Sequence, residues 1–123
     1  MNPPAEAAST AWWVICLCAE WCGVCREWRG IFHQAAAENP AVRFAWIDIE
    51  DEAEAMGEVE VETFPTLLIA QGSTPRFFGP VQPSAAQLSR LLVGLAQGPS
   101  PAHPNSEAAA LLARLAPRAL LIP

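Results

Sequence analysis

Apolar and polar positions alternate between two rhythms along this chain, and the switches mark its elements. Trp12-Trp13-Val14-Ile15-Cys16-Leu17-Cys18 is an unbroken apolar run rich in aromatic and β-branched residues. Such a run suits a central strand covered on both faces. The next stretch, from about Cys22 to Glu38, is helical: Cys25, Trp28, Phe32 and Ala35 recur on one face, while Arg26, Arg29 and His33 fall outside it. Asn39-Pro40 ends that helix. Residues 42–49 read as a second strand, and the acidic, Ala-rich stretch over 50–60 as a short helix. Residues 66–70 form a third strand, Gln71 to Pro75 a turn, and Arg76-Phe77-Phe78 pairs back as a hairpin broken by Gly79-Pro80. Ser84 caps a helix running to about Gln97, striped by Leu88, Leu91, Leu92 and Leu95.

The order β-α-β-α-β-β-α predicts a three-layer α/β fold: a central mixed β-sheet flanked by helices, with two parallel strands joined by a helical crossover. Three parts are expected: a loose leader over 1–11, one domain over 12–97, and a Pro-rich linker plus possible helix over 98–123. Within the last part, 106–116 carries a stripe of Leu111, Leu112 and Leu115. That stripe favours docking, on this domain or on a partner, over a mobile tail.

Composition narrows the function. The chain has 123 residues, 52% of them hydrophobic, enough for one self-supporting core. Its net charge of −6 argues against nucleic acid or an anionic membrane surface, both of which need a basic face. All seven basic residues are Arg, so lysine chemistry is excluded. The apolar runs are shorter than the roughly 18 residues of a spanning helix, and no basic segment precedes Trp12 to mark a signal peptide. A cytoplasmic protein is expected. The acidic positions between Asp48 and Glu62 read as a solvated face, with docking of a basic partner as the rival reading.

The four cysteines, at 16, 18, 22 and 25, crowd one short window. A disulfide framework spreads its cysteines to staple distant loops, so clustering points to redox chemistry or a metal. A Cys₄ metal site is disfavoured because Cys16 and Cys18 lie on a strand with little freedom to converge on one ion. His33 and His103 are isolated, which disfavours a Cys–His hydrolase. Cys22 falls at a helix start, where backbone N–H groups favour a thiolate. Cys25, one turn inside on the same face, is better shielded. These placements make Cys22 the candidate nucleophile and Cys25 the candidate resolving thiol. Cys16 and Cys18 read as small buried apolar side chains. They share one strand face, and if that face points toward the active site, Cys18 is able to form a second, regulatory disulfide.

Three separated features resemble the thioredoxin family: Ala19-Glu20-Trp21-Cys22-Gly23-Val24-Cys25 after a buried strand, Thr63-Phe64-Pro65-Thr66 leading into a later strand, and Gly79 after the hairpin. The resemblance covers roughly 12–97. It implies a dithiol–disulfide oxidoreductase that reduces or exchanges protein disulfides, with no bound cofactor or metal, served by a thioredoxin reductase or similar dithiol donor. A monomer is expected. It also implies a cis bond before Pro65 and a substrate groove formed by Trp21, Gly23, Val24, Phe64, Pro65 and Gly79. The alternative is a thioredoxin-like adaptor or chaperone module with weak redox activity.

The chain departs from the family pattern at four points. Where the family usually has an extra strand and helix, only about eleven residues precede the active-site strand, so an N-terminally trimmed version of the fold is expected. Gly23-Val24 replaces the usual Gly-Pro, which implies a potential less negative than about −270 mV. Cys16 stands where the family has a buried acid, and Trp46 where it has that acid's lysine partner. A buried thiol is a poor base, so slow resolution of mixed disulfides is expected.

Overall fold

A computed structural model describes residues 12–19, 22–61, 63–72, 74–97, 106–115 and 120–121. The expected leader, the linker and Trp21 lie outside the described residues.

Five strands form one mixed sheet: β1 (Trp12–Cys18), β2 (Arg43–Asp48), β3 (Thr66–Gln71), β4 (Thr74–Pro80) and β5 (Leu120–Leu121), in the order β4-β3-β1-β2-β5. β1 runs parallel to β2 and antiparallel to β3, and the β3–β4 and β2–β5 pairs are antiparallel. The central place of β1 explains its unbroken apolar run, since residues 14–18 are covered on both faces.

The helices are α1 (Gly23–Glu38), α2 (Ala53–Met56), α3 (Ala85–Gln97) and α4 (Ser106–Leu115). Strand alternation sorts the core into two layers. Val14, Cys16, Cys18, Phe44, Leu67 and Ile69 face Cys25, Trp28 and Phe32 of α1 and Leu88 of α3. Ile15, Leu17, Ala45, Ile47, Leu68 and Ala70 face Ala55 and Met56 of α2 and the stripe of α4. The three-layer expectation therefore holds, and α4 docks on this domain, burying Ala108, Leu111, Leu112 and Leu115. β5 then pairs with the outer edge of β2, through Ala45↔Leu121 and Trp46↔Leu120.

Two local expectations change. Gly79-Pro80 does not break the hairpin: β4 runs through both residues, pairing Leu67↔Gly79 and Thr66↔Pro80. Proline is tolerated because β4 is the sheet edge, where one side of the strand needs no donor. The acidic helix is also shorter than its sequence suggests. Asp48 Oδ1 accepts from the Glu50 and Asp51 amides at 2.8 and 3.3 Å, turning the chain, and Gly57 stops α2 with φ +62°.

Gly57 also receives α4. Arg114 donates from Nε to the Ala55 carbonyl and from Nη2 to the Met56 carbonyl at 3.3 Å. These are carbonyls at the end of α2, where a cation is favoured. A Cβ on Gly57 would stand 3.3 Å from Arg114 Nη2.

Candidate functional site

The site forms where β1 ends and α1 begins. Cys22 is the N-cap residue of α1, with extended φ −84° and ψ 122°. Its amide donates to the Ala19 carbonyl at 3.0 Å, which closes the turn out of β1. No side chain caps α1 at Cys22, so the first-turn N–H groups remain directed at the cysteine end of the helix. Cys22 is half-buried, whereas Cys25 is 1% exposed. The expected contrast in burial between an outer Cys22 and an inner Cys25 is present. Gly23 is exposed, and Val24 is 39% exposed, an apolar side chain turned outward between the two cysteines.

The inner layer beneath α1 holds the other two cysteines. Cys16 and Cys18 both point toward α1, and their sulfurs are 3.8 Å apart. Cys25 is bonded to Cys18 in a disulfide with a Cα–Cα distance of 5.9 Å. Cys16 and Cys22 are free thiols. The reading of Cys18 as an inert apolar side chain is therefore corrected: it is a disulfide partner of Cys25. The signal was in the sequence, since the face that Cys18 shares with Cys16 is the one covered by the Cys25 side of α1. Alternation alone did not say which helix covers that face.

Cys16 has a different environment. It is fully buried, and the Trp28 indole N–H reaches its sulfur at 3.2 Å. Burial pushes its thiol from 9.0 up to about 12, against smaller opposing effects of the Trp28 hydrogen bond and the Arg29 charge. Its strand neighbour Trp46 packs against Phe32 and carries the Arg29 guanidinium 4.8 Å over its ring. Among the described residues, no three of His, Cys, Asp and Glu are placed to hold a metal ion.

The second motif also lies close to the cysteines. The Phe64–Pro65 bond is cis, as expected. The Pro65 carbonyl accepts from the Val81 amide at 3.0 Å, and Thr66 Oγ1 donates to the Thr63 carbonyl at 2.6 Å. Phe64 packs in the same apolar cluster as Cys22, Cys18 and Cys25. Gly79 lines a cleft of about 230 Å³ with Thr63, Thr66 and Pro80.

This combination of a mixed sheet, a cysteine pair opening α1 and a cis-proline loop defines a class. The family model described as Thioredoxin matches residues 5–89, and the chain belongs to the thioredoxin family. It is 39% identical over 61 residues to Thioredoxin C-3 of Corynebacterium nephridii, a match covering 50% of this chain and 42% of that protein. It is 34% identical over 59 residues to Thioredoxin H2-1 of Oryza sativa, covering 48% of this chain and 43% of that protein. The matches thus span less than half the length of these relatives. In fold it is similar to Fasciola hepatica thioredoxin, with a TM-score of 0.64 and 23% identity over 72% of this chain and 84% of that one. The thioredoxin NaTrxh of Nicotiana alata gives 0.62, with 20% identity over 72% of this chain and 77% of that one. No described helix is long and apolar enough to cross a membrane.

Proposed function

We propose that the protein is a thiol–disulfide oxidoreductase that reduces or exchanges protein disulfides. The observation that carries this reading is the division of labour at the start of α1: a half-exposed free thiol at Cys22, with a shielded, disulfide-forming thiol three residues on at Cys25. Cys22 is the N-cap and Cys25 follows three residues on, the i, i+3 spacing at which side chains of one helix face are neighbours.

Cys22, as thiolate, attacks one sulfur of a substrate disulfide, and the other sulfur leaves as a thiolate and takes up a proton. Cys25 then loses its proton and attacks the Cys22 sulfur. The mixed disulfide breaks, the substrate is released as a dithiol, and the protein keeps a Cys22–Cys25 disulfide. An external dithiol donor, such as a thioredoxin reductase system, restores the two thiols. Trp21, Gly23, Val24, Phe64, Pro65 and Gly79 are the residues proposed to receive the substrate chain. The outward Val24 and the place of Phe64 and Cys22 at the margin of one apolar cluster support an apolar contact surface there. A cytoplasmic location would favour the reducing direction.

Trapping tests the reading. Cys25→Ser should accumulate mixed disulfides between Cys22 and substrate proteins, released by dithiothreitol. Absence of Cys22-linked adducts would contradict it. A second reading, an adaptor or chaperone module with weak redox activity, draws on the pairing of Cys25 with Cys18, which withholds the resolving thiol from Cys22. Catalytic turnover of a protein disulfide separates the two.

A further inference from the structure

Cys25 has two competing partners. Cys22 lies on the outer side of it, half-exposed at the helix N-cap. Cys18 lies on the inner side, at the end of β1, and holds it in the disulfide. Cys18 is 0% exposed and Cys25 1%, so an external thiol has no direct line to either sulfur of that bond. Cys22 is the thiol of this centre that combines access to solvent with a place one helical turn from Cys25. Cys16 is no substitute: it is sealed in the core beneath Trp28.

We propose that Cys18 is a third redox thiol, and that oxidation passes inward from Cys22–Cys25 to Cys18–Cys25 with Cys22 as the gate in both directions. The inference deepens the oxidoreductase reading and rests on it for the origin of the first disulfide. In the inward step Cys18 loses its proton and its sulfur bonds to the Cys25 sulfur. The Cys22–Cys25 bond breaks, and Cys22 leaves as a thiolate that takes up a proton. One disulfide is exchanged for another, and no electrons leave the protein. In the outward step Cys22 attacks Cys25, returns the disulfide to the helix start, and exposes it to the external donor.

The inner state has a distinct chemistry. Cys22 is again a thiol and still able to attack a substrate disulfide, but Cys25 is occupied and cannot resolve the product. The protein then behaves as a monothiol that holds its substrate until Cys25 is freed. Cys18 thereby couples the resolving step to the oxidation state of the protein.

The test begins with the wild-type full chain, oxidised by oxidised glutathione, alkylated while folded, and mapped by non-reducing peptide analysis. The expected bridge is Cys18–Cys25 with Cys22 alkylated. A bridge at Cys22–Cys25 with Cys18 recovered as a thiol would overturn the relay. In Cys18→Ala the bridge should move to Cys22–Cys25 and Cys22 should escape alkylation. The gate is tested with Cys22→Ser, in which serine keeps a favourable N-cap. Its Cys18–Cys25 disulfide, formed by oxidising the unfolded chain and refolding, should open in dithiothreitol about tenfold or more slowly than in wild type, because access limits attack. Equal rates would overturn the gate. The two readings fail separately. A Cys18–Cys25 bridge that opens through Cys22 supports the relay even if no protein disulfide is turned over, a result that counts against the oxidoreductase reading alone. Turnover with a Cys22–Cys25 bridge overturns the relay and leaves that reading standing.

Discussion

The Trp28 indole N–H is directed at the sulfur of Cys16, 3.2 Å away, and so fills with a weak hydrogen bond the place where the thioredoxin family carries a buried acid. The consequence is kinetic. The Cys16 thiol is held near 12 by burial and accepts no proton at neutral pH, so resolution by Cys25 has no internal base at that position. Cys16→Asp places a carboxylate there, under the same indole donor. Stopped-flow release of reduced substrate from the mixed disulfide should be faster in the variant, by about tenfold or more as general-base catalysis allows. An unchanged rate would show that Cys16 does not limit resolution.

The same thiol predicts an alkaline weakness. In the unfolded chain Cys16 ionises near 9.0, and in the fold only near 12. Its raised folded value contributes stability that is fully present below pH 9 and is lost as pH rises toward 12, by about 1.4 kcal/mol per pH unit within that window. The chain has no Tyr or Lys to obscure that range. Urea titrations should show the stability difference between wild type and Cys16→Ala shrinking from pH 9 upward. A constant difference would contradict the assignment.

Leu111 of α4 is 0% exposed and packs in the layer with Ile47, Met56 and Leu68. Leu111→Ala should cost about 2–5 kcal/mol, read from the urea midpoint. Removing residues 99–123 should lower the melting temperature as well. An unchanged midpoint in both would mean that α4 is not part of the core.

Arg114 and Gly57 form the clasp between α4 and α2. Arg114→Met keeps most of the aliphatic stem and loses the donors to Ala55 and Met56. Since Arg114 is half-exposed, the loss should be about 1 kcal/mol. Gly57→Ala should cost about 1–2 kcal/mol, because φ is +62° and the new methyl would crowd the guanidinium. Chemical denaturation of the two variants and their double mutant should show non-additive losses, since they act at one contact.

The sequence was legible where a pattern has one physical solution. β1 had to be central because both its faces are apolar, and the helical period after it put Cys22 at the start of α1 and Cys25 on its buried face. It was less legible where the answer depends on a partner distant in the chain. The leucine stripe of α4 says that one face is buried, but not against what. Arg114 meets Ala55 59 residues away, and nothing local marks either residue. β5, two residues long, is joined to β2 through backbone pairing, which hydrophobic period does not reveal. Cys18 fell between these cases: its face could be read, but the sulfur opposite it could not.

The central claim is that exchange enters and leaves through Cys22. Its most direct test is the turnover of a protein disulfide under a dithiol donor by the full chain, wild type against Cys22→Ser, with both shown to be folded. Wild type should turn over catalytically, and Cys22→Ser should fall to the uncatalysed background. Turnover in Cys22→Ser close to that of wild type would contradict the account.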